Sequence, residues 1–313
     1  MSSLPFCQYP DAFDKRNRGV LALPDELPSV DFARARPYRS FLCRSVSTSE
    51  FSADQWLELA RMIGLSFTTR EPMVRHLHLP LNRPGVLRQA IRKDQFSCEP
   101  FGEWTKENIL HWMLRVWVFT RRSNDTVWRE ADNEFKNLSM AILDREHRII
   151  GGSVSFRYSI HLEDDRVDDS FKEGILAFTK PIVDVLQEQE RCAIHELGVK
   201  YADFLEACKT GKVVDFFMVA RSDYLGGEYA FELVAASIEN FKARGYRFVV
   251  TSAANPWTGA AFELLNAVRV HYTPYRERKR VAKSETGLPE EVSSSDGYIS
   301  AKESGCMFYV LSI

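Results

Sequence analysis

The most constraining feature of this 313-residue chain is its stretch from residue 213 to about 278, where three strand-like runs alternate with two helix-like ones. VVDFFMVA (213–220) is almost wholly apolar, as a strand covered on both faces requires. A loop with paired glycines (224–228) follows, then a helical pattern over 229–243 that stops at Arg244-Gly245. YRFVVTSAA (246–254) reads as a second strand, 257–268 as a helix and HYTPYRER (271–278) as a third strand. A strand, a helix and a strand in so short a span form a β-α-β unit, so the strands around 216 and 250 are expected to be parallel neighbours.

The rest of the chain can supply a sheet around that pair. Residues 1–38 carry five prolines and the basic run 15–18, and they read as an extended arm without regular structure. SFLCRS (40–45) is a short strand. Thr48, Ser49 and Ser52 offer N-caps for an amphipathic helix with Leu59 and Ile63 on its apolar face. Helices are expected again at 66–77 and 106–120; the Trp and Phe positions of the latter read as core. LSMAILD (138–144), a turn over 145–148 and IIGGSVSFRYSI (149–160) form a hairpin. One helix over about 182–209 ends at Thr210-Gly211-Lys212, and 307–313 is a final apolar strand. These elements fit an α/β (α+β) fold with one mixed central sheet of about seven strands flanked by helices. The expected organisation is a 1–38 arm and a single 39–313 domain, with insertions near 78–104, 160–210 and 283–305.

Composition narrows the functional classes. Forty-one Lys and Arg against 43 Asp and Glu give a charge of -2, so no global basic field exists to bind nucleic acid. The run RERKR (276–280) reads as a solvated strand end. No stretch approaches the roughly 18 consecutive apolar residues of a membrane span, and the first residues lack a secretory leader. The expected location is cytoplasmic. Six dispersed cysteines without a C-x-x-C pair read as free thiols, and His76 and His78 have poor ligand spacing, so no metal is expected. A thiol route through Cys43 or Cys98 has no histidine spacing to support it.

The element order, and above all the stretch MVARSDYLGGEYAFELVAASIENFKARGYRFVVTSAANPWTGAAFELLNAV, resembles the GCN5-related N-acetyltransferase (GNAT) superfamily over about residues 38–313. A second stretch, SFTTREPMVRHL (66–77), is similar to the F-x-x-x-E-P-[LM] helix of its arylalkylamine and polyamine acetyltransferase branch. The family's phosphate loop reads [QR]-x-x-G-x-[GA]. Aligned on Gly227, this chain has Tyr224 and Tyr229 at the outer positions and Glu228 between, a degenerate version of the loop.

The resemblance implies acetyl-CoA as co-substrate. Met218, Val219 and Ala220 would pair their backbone with its pantetheine arm, and the amides of Leu225, Gly226, Gly227, Glu228, Tyr229 and Ala230 would hold the pyrophosphate. A helix N-terminus with small residues before it suits a phosphate because its first N–H groups are unpaired and carry partial positive charge. The same glycines equally serve an ordinary tight β-α turn. Arg221 can supply the cation that the loop lacks. Asn255 opens the next helix, either as a plain N-cap or near the pantetheine. Where many relatives carry a Tyr that protonates the departing thiolate, this chain has Phe262, leaving Ser252, Tyr272 or Tyr275 for that role.

Glu71 is the candidate base that would take a proton from the acceptor ammonium; the alternative is a carboxylate that merely favours a helix N-terminus. Asp215, an acid inside an apolar strand, is either exposed at an edge or buried with a perturbed pKa, and in the second case it is a further catalytic candidate facing the acceptor. The expected function is acyl-CoA-dependent acetyl transfer to a small amine by direct attack in a ternary complex. The alternative is a catalytically inactive protein of the same fold, acting as a ligand-binding or interaction module. The amine, the acyl chain and the oligomeric state are not legible.

Overall fold

The computed structural model describes residues 19–35, 44–52, 55, 58, 59, 62, 63, 136–158, 180–221, 227–274 and 305–313. The expected helices at 66–77 and 106–120 and the 283–304 loop lie outside these residues.

Strand phase follows directly from side-chain alternation. In β5 (Val213–Arg221), Val214 and Phe216 point to one face and Val213 to the other. In β6 (Phe248–Ala253), Val249 and Ala253 share the first face, and Phe248 and Val250 the second. The two strands are parallel, with Val213, Val214 and Asp215 in register with Phe248, Val249 and Val250. The hairpin of β3 (Met140–Leu143) and β4 (Ile149–Arg157) extends the sheet antiparallel from β5. Asp144 closes its turn, its Oδ1 accepting from the N–H of Glu146 at 2.8 Å and of Arg148 at 3.0 Å. β2 (Arg44–Ser47) continues it beyond β3. On the other side β8 (Gly305–Ser312) lies between β6 and β7 (Val268–Pro274), and β1 (Gly19–Val20) forms the far edge. The order is β1-β7-β8-β6-β5-β4-β3-β2, the seven expected strands plus the two-residue β1.

Helices cover both faces. α4 (Gly227–Ala243) and α5 (Pro256–Leu264) pack Phe231, Val234, Ile238, Phe241, Ala261 and Phe262 against the first face. α2 (Lys180–Lys200) and α3 (Ala202–Lys209) cover the second with Ala193, Leu197 and Phe204. Burying the Val, Leu, Ile and Phe side chains among these stabilises by about 1.5–3 kcal/mol each. Also on the second face, Leu59 packs onto Gly152 of β4 in a helical segment opened by a capping box. There the Ser52 N–H donates to Gln55 Oε1 at 2.9 Å and the Gln55 N–H to Ser52 Oγ at 3.3 Å.

Three expectations are corrected. The single 182–209 helix is broken at Tyr201, whose backbone is extended (φ -123°, ψ 96°) while its buried side chain donates to the Pro24 carbonyl. The helix expected to reach 268 ends at Leu264, because Asn266 takes the left-handed conformation (φ 71°) and the Ala267 N–H bonds back to Phe262. Residues 19–35 of the arm have regular structure: β1 pairs with β7, α1 (Phe32–Ala35) is a helical turn, and Leu21, Leu23, Leu27, Val30 and Phe32 pack against the core. Their apolar contacts outweigh the prolines that suggested a free segment.

Candidate functional site

The parallel pair is the sheet's weak seam. Pairing between β5 and β6 ends at Asp215–Val250. Above it, β5 from Phe216 to Arg221 pairs only with β4 among the described residues, and β6 from Thr251 to Ala253 only with β8. The two strands therefore fork. Just above the fork, β4 places Ser155 opposite Phe216 and Val154 opposite Met218, so Phe217 is an extra residue on β5. Such a bulge breaks the ladder and increases local twist, which turns the upper strand away from its neighbour. α4 begins at Gly227, six residues after Arg221 ends β5, so its unpaired first-turn amides follow directly from the forked strand.

The predicted residues divide around this fork. Asp215 is the last residue of β5 paired with β6 and, alternating with Val214 and Phe216, faces the α2 side. Ser252 lies on that same face of β6, two residues beyond Val250, and is half-buried. Met218, Val219, Ala220 and Arg221 form the upper β5 segment. Gly227, Glu228, Tyr229 and Ala230 form the first turn of α4, with Tyr229 half-buried. Asn255 immediately precedes α5, where its carbonyl accepts from Thr258 and Gly259. Glu71, Leu225, Gly226 and Tyr275 lie outside the described residues.

Phe262 and Tyr272 are not brought to Asp215 and Ser252. Both belong to the core of the α4–α5 face, the opposite side of the sheet. Phe262 is fully buried, edge-on to Phe216 at 5.3 Å and stacked on Tyr309 at 6.4 Å between ring centroids. Tyr272 is 1% exposed, with its ring filling the space that a side chain on Gly305 would occupy. The Tyr309 hydroxyl donates to Glu263 at 2.7 Å, and Glu263 in turn holds Arg269 through two bonds of 2.7 and 2.8 Å. Burial raises the Tyr309 pKa well above the usual phenol range, with the Glu263 carboxylate adding to it.

The α2-facing side of the fork carries polar groups that sequence reasoning missed. Tyr158, just past β4, is 7% exposed and its hydroxyl bonds to Glu190 of α2. Burial pushes its pKa far up; the negative charges of Glu190 and Asp215 act in the same direction. A phenol held protonated beside two carboxylates is a hydrogen-bond donor, and the acidic surroundings favour a cationic group. The only sequence signal was Tyr158 in phase with Phe156 at the end of a strand pattern; nothing local pointed to Glu190. Among the described residues no group of three or more His, Cys, Asp or Glu is placed to hold a metal ion. No described helix is long and apolar enough to cross a membrane.

A mixed sheet with a forked parallel pair, a helix beginning after the forked strand and helices on both faces is the fold of GCN5-related N-acetyltransferases. Two solved structures from the yellow fever mosquito Aedes aegypti share it. One, assigned as arylalkylamine N-acetyltransferase 7, is similar at 13% identity and TM-score 0.51, over 86% of this chain and 87% of its own. The other, arylalkylamine N-acetyltransferase 2, is similar at 13% identity and TM-score 0.50, over 87% of this chain and 99% of its own. No protein-family model matches the sequence, and a search of curated proteins finds no match.

Proposed function

We propose that this chain is an acetyl-CoA-dependent N-acetyltransferase acting on a small amine. The observation that carries the reading is the fork: backbone of β5 leaves its parallel neighbour between a polar face and the start of α4. An extended pantetheine arm would add to the β5 edge at Met218, Val219 and Ala220 like an extra strand. The pyrophosphate would lie at the amides of 225–230, with Arg221 as counter-charge. On the α2-facing side the acceptor nitrogen would approach near Asp215 and Ser252, with Glu71 taking its proton directly or through water. The nitrogen lone pair attacks the thioester carbon, the N–C bond forms and the C–S bond breaks. A backbone N–H near Val219 would polarise the carbonyl. The coenzyme A thiolate then leaves and takes up a proton.

Thermal unfolding with acetyl-CoA tests the donor. At about 100 times its dissociation constant the ligand adds about 2.7 kcal/mol of stability. No shift at millimolar acetyl-CoA would count against this donor. Glu71→Gln is expected to keep the shift and lose turnover on amines; unchanged turnover removes Glu71 from the mechanism. The burial of Phe262 and Tyr272 on the far face favours a second reading, a binding protein of the same fold, which predicts a shift without turnover.

A further inference from the structure

Phe216 and Thr251 are the first residues above the last rung of the parallel pair. A side chain joins them: Thr251 Oγ1 donates to the Phe216 carbonyl at 2.7 Å. Both residues are buried, Thr251 to 2% and Phe216 to 1% exposure. A buried carbonyl needs a donor, and a hydroxyl carried on a side chain supplies one without holding the neighbouring backbone alongside. The ring of Phe216 is meanwhile fixed edge-on to Phe241 and Phe262, so the carbonyl cannot turn away to find another donor. The next residue, Phe217, is the bulge.

We infer that Thr251 is a positioning residue that sets the height at which β5 and β6 part. Its hydroxyl stitches the fork immediately below the bulge, so Met218, Val219 and Ala220 begin at a fixed distance above the last rung. The consequence for acetyl-CoA rests on the acetyltransferase reading; the stitch itself does not.

Thr251→Val keeps the branched shape and removes the donor, whereas Thr251→Ser keeps the donor. Hydrogen exchange on the ligand-free protein reads the stitch. In the Val variant, peptides covering 213–217 and 248–252 are expected to exchange about tenfold faster, with peptides from β7 and α4 unchanged and the Ser variant like wild type. Unaltered exchange around the fork, or equal acceleration across the whole sheet, overturns the inference. Acetyl-CoA titration reads the consequence. The Val variant is expected to bind about tenfold more weakly, with affinity regained in the Ser variant. Equal affinity in wild type and Val variant overturns the positioning role. If wild type itself fails to bind acetyl-CoA, the acetyltransferase reading falls, and hydrogen exchange alone decides the stitch.

Discussion

At the scale of single residues, His271 shows how burial sets protonation. It projects beneath α2 with Nδ1 buried and without a hydrogen-bond partner among the described residues, while Gln189 Nε2 donates to the Cys306 carbonyl at 2.6 Å and approaches that of His271 at 3.4 Å. Burial lowers the His271 pKa, opposed by the negative charge of Glu196. The unfolded chain therefore takes up the proton more readily than the folded one. The contribution of this histidine to stability is full above the ordinary histidine value of about 6.5 and declines as pH falls below it. His271→Asn removes this contribution, so the stability difference between variant and wild type should move in the variant's favour from about pH 7.5 to about 5.5. Denaturant midpoints across that range check it, and a difference independent of pH would refute it.

At the scale of elements, contacts between helices and sheet depend on small residues at defined strand positions. A Cβ on Gly152 would overlap Leu59 Cδ1 and sit 3.4 Å from the Met140 carbonyl, so β4 leaves an opening that Leu59 fills. Gly152→Ala is expected to destabilise by about 1–3 kcal/mol through overpacking, and adding Leu59→Ala should return part of that loss. A double-mutant cycle by chemical denaturation measures it; strictly additive effects would contradict the contact.

The elements most legible in the sequence are those fixed by local pattern. The parallel pair, the hairpin with its turn at 145–148 and the stops at Gly211 (φ 65°) and Gly245 (φ 77°) all follow from alternation and turn residues. The break at Tyr201 was illegible because that residue is apolar and in helical phase; only its bond to Pro24, far away in sequence, explains the kink. The candidate site divides in the same way. The upper part of β5 and the approach to α4 were readable from an apolar run followed by paired glycines, while the coenzyme role of 218–220 and 225–230 rests on the resemblance alone. The Tyr158–Glu190 bond and the Thr251 stitch were not, since each joins groups brought together only by the folded sheet.

At the scale of the molecule, residues 19–35 tie several elements together. The Leu21 N–H donates to Val270 of β7 and the Val30 N–H to Ser312 of β8. Lys200 at the end of α2 reaches the Leu23 carbonyl, and Asn266 Nδ2 after α5 donates to Ser29. Five apolar side chains of the segment rest on the two core clusters. At about 1 kcal/mol for each half-buried side chain, removing residues 1–35 should cost several kcal/mol and lower the denaturation midpoint. An unchanged midpoint would mean that the segment contributes little to stability.

β8 follows β7 in the chain yet lies between β7 and β6, and β7 touches no other described strand except the two-residue β1. The sheet therefore cannot be assembled in the order in which its strands occur along the chain. Until residues 305–312 insert, β6 and β7 each present an unsatisfied edge, and both edges must be filled by the same late segment. Pairings of such long sequence separation are slow to form, and open edges invite pairing with other chains. The central position of β8 thus leaves two sheet edges open to other chains until its own pairing closes both.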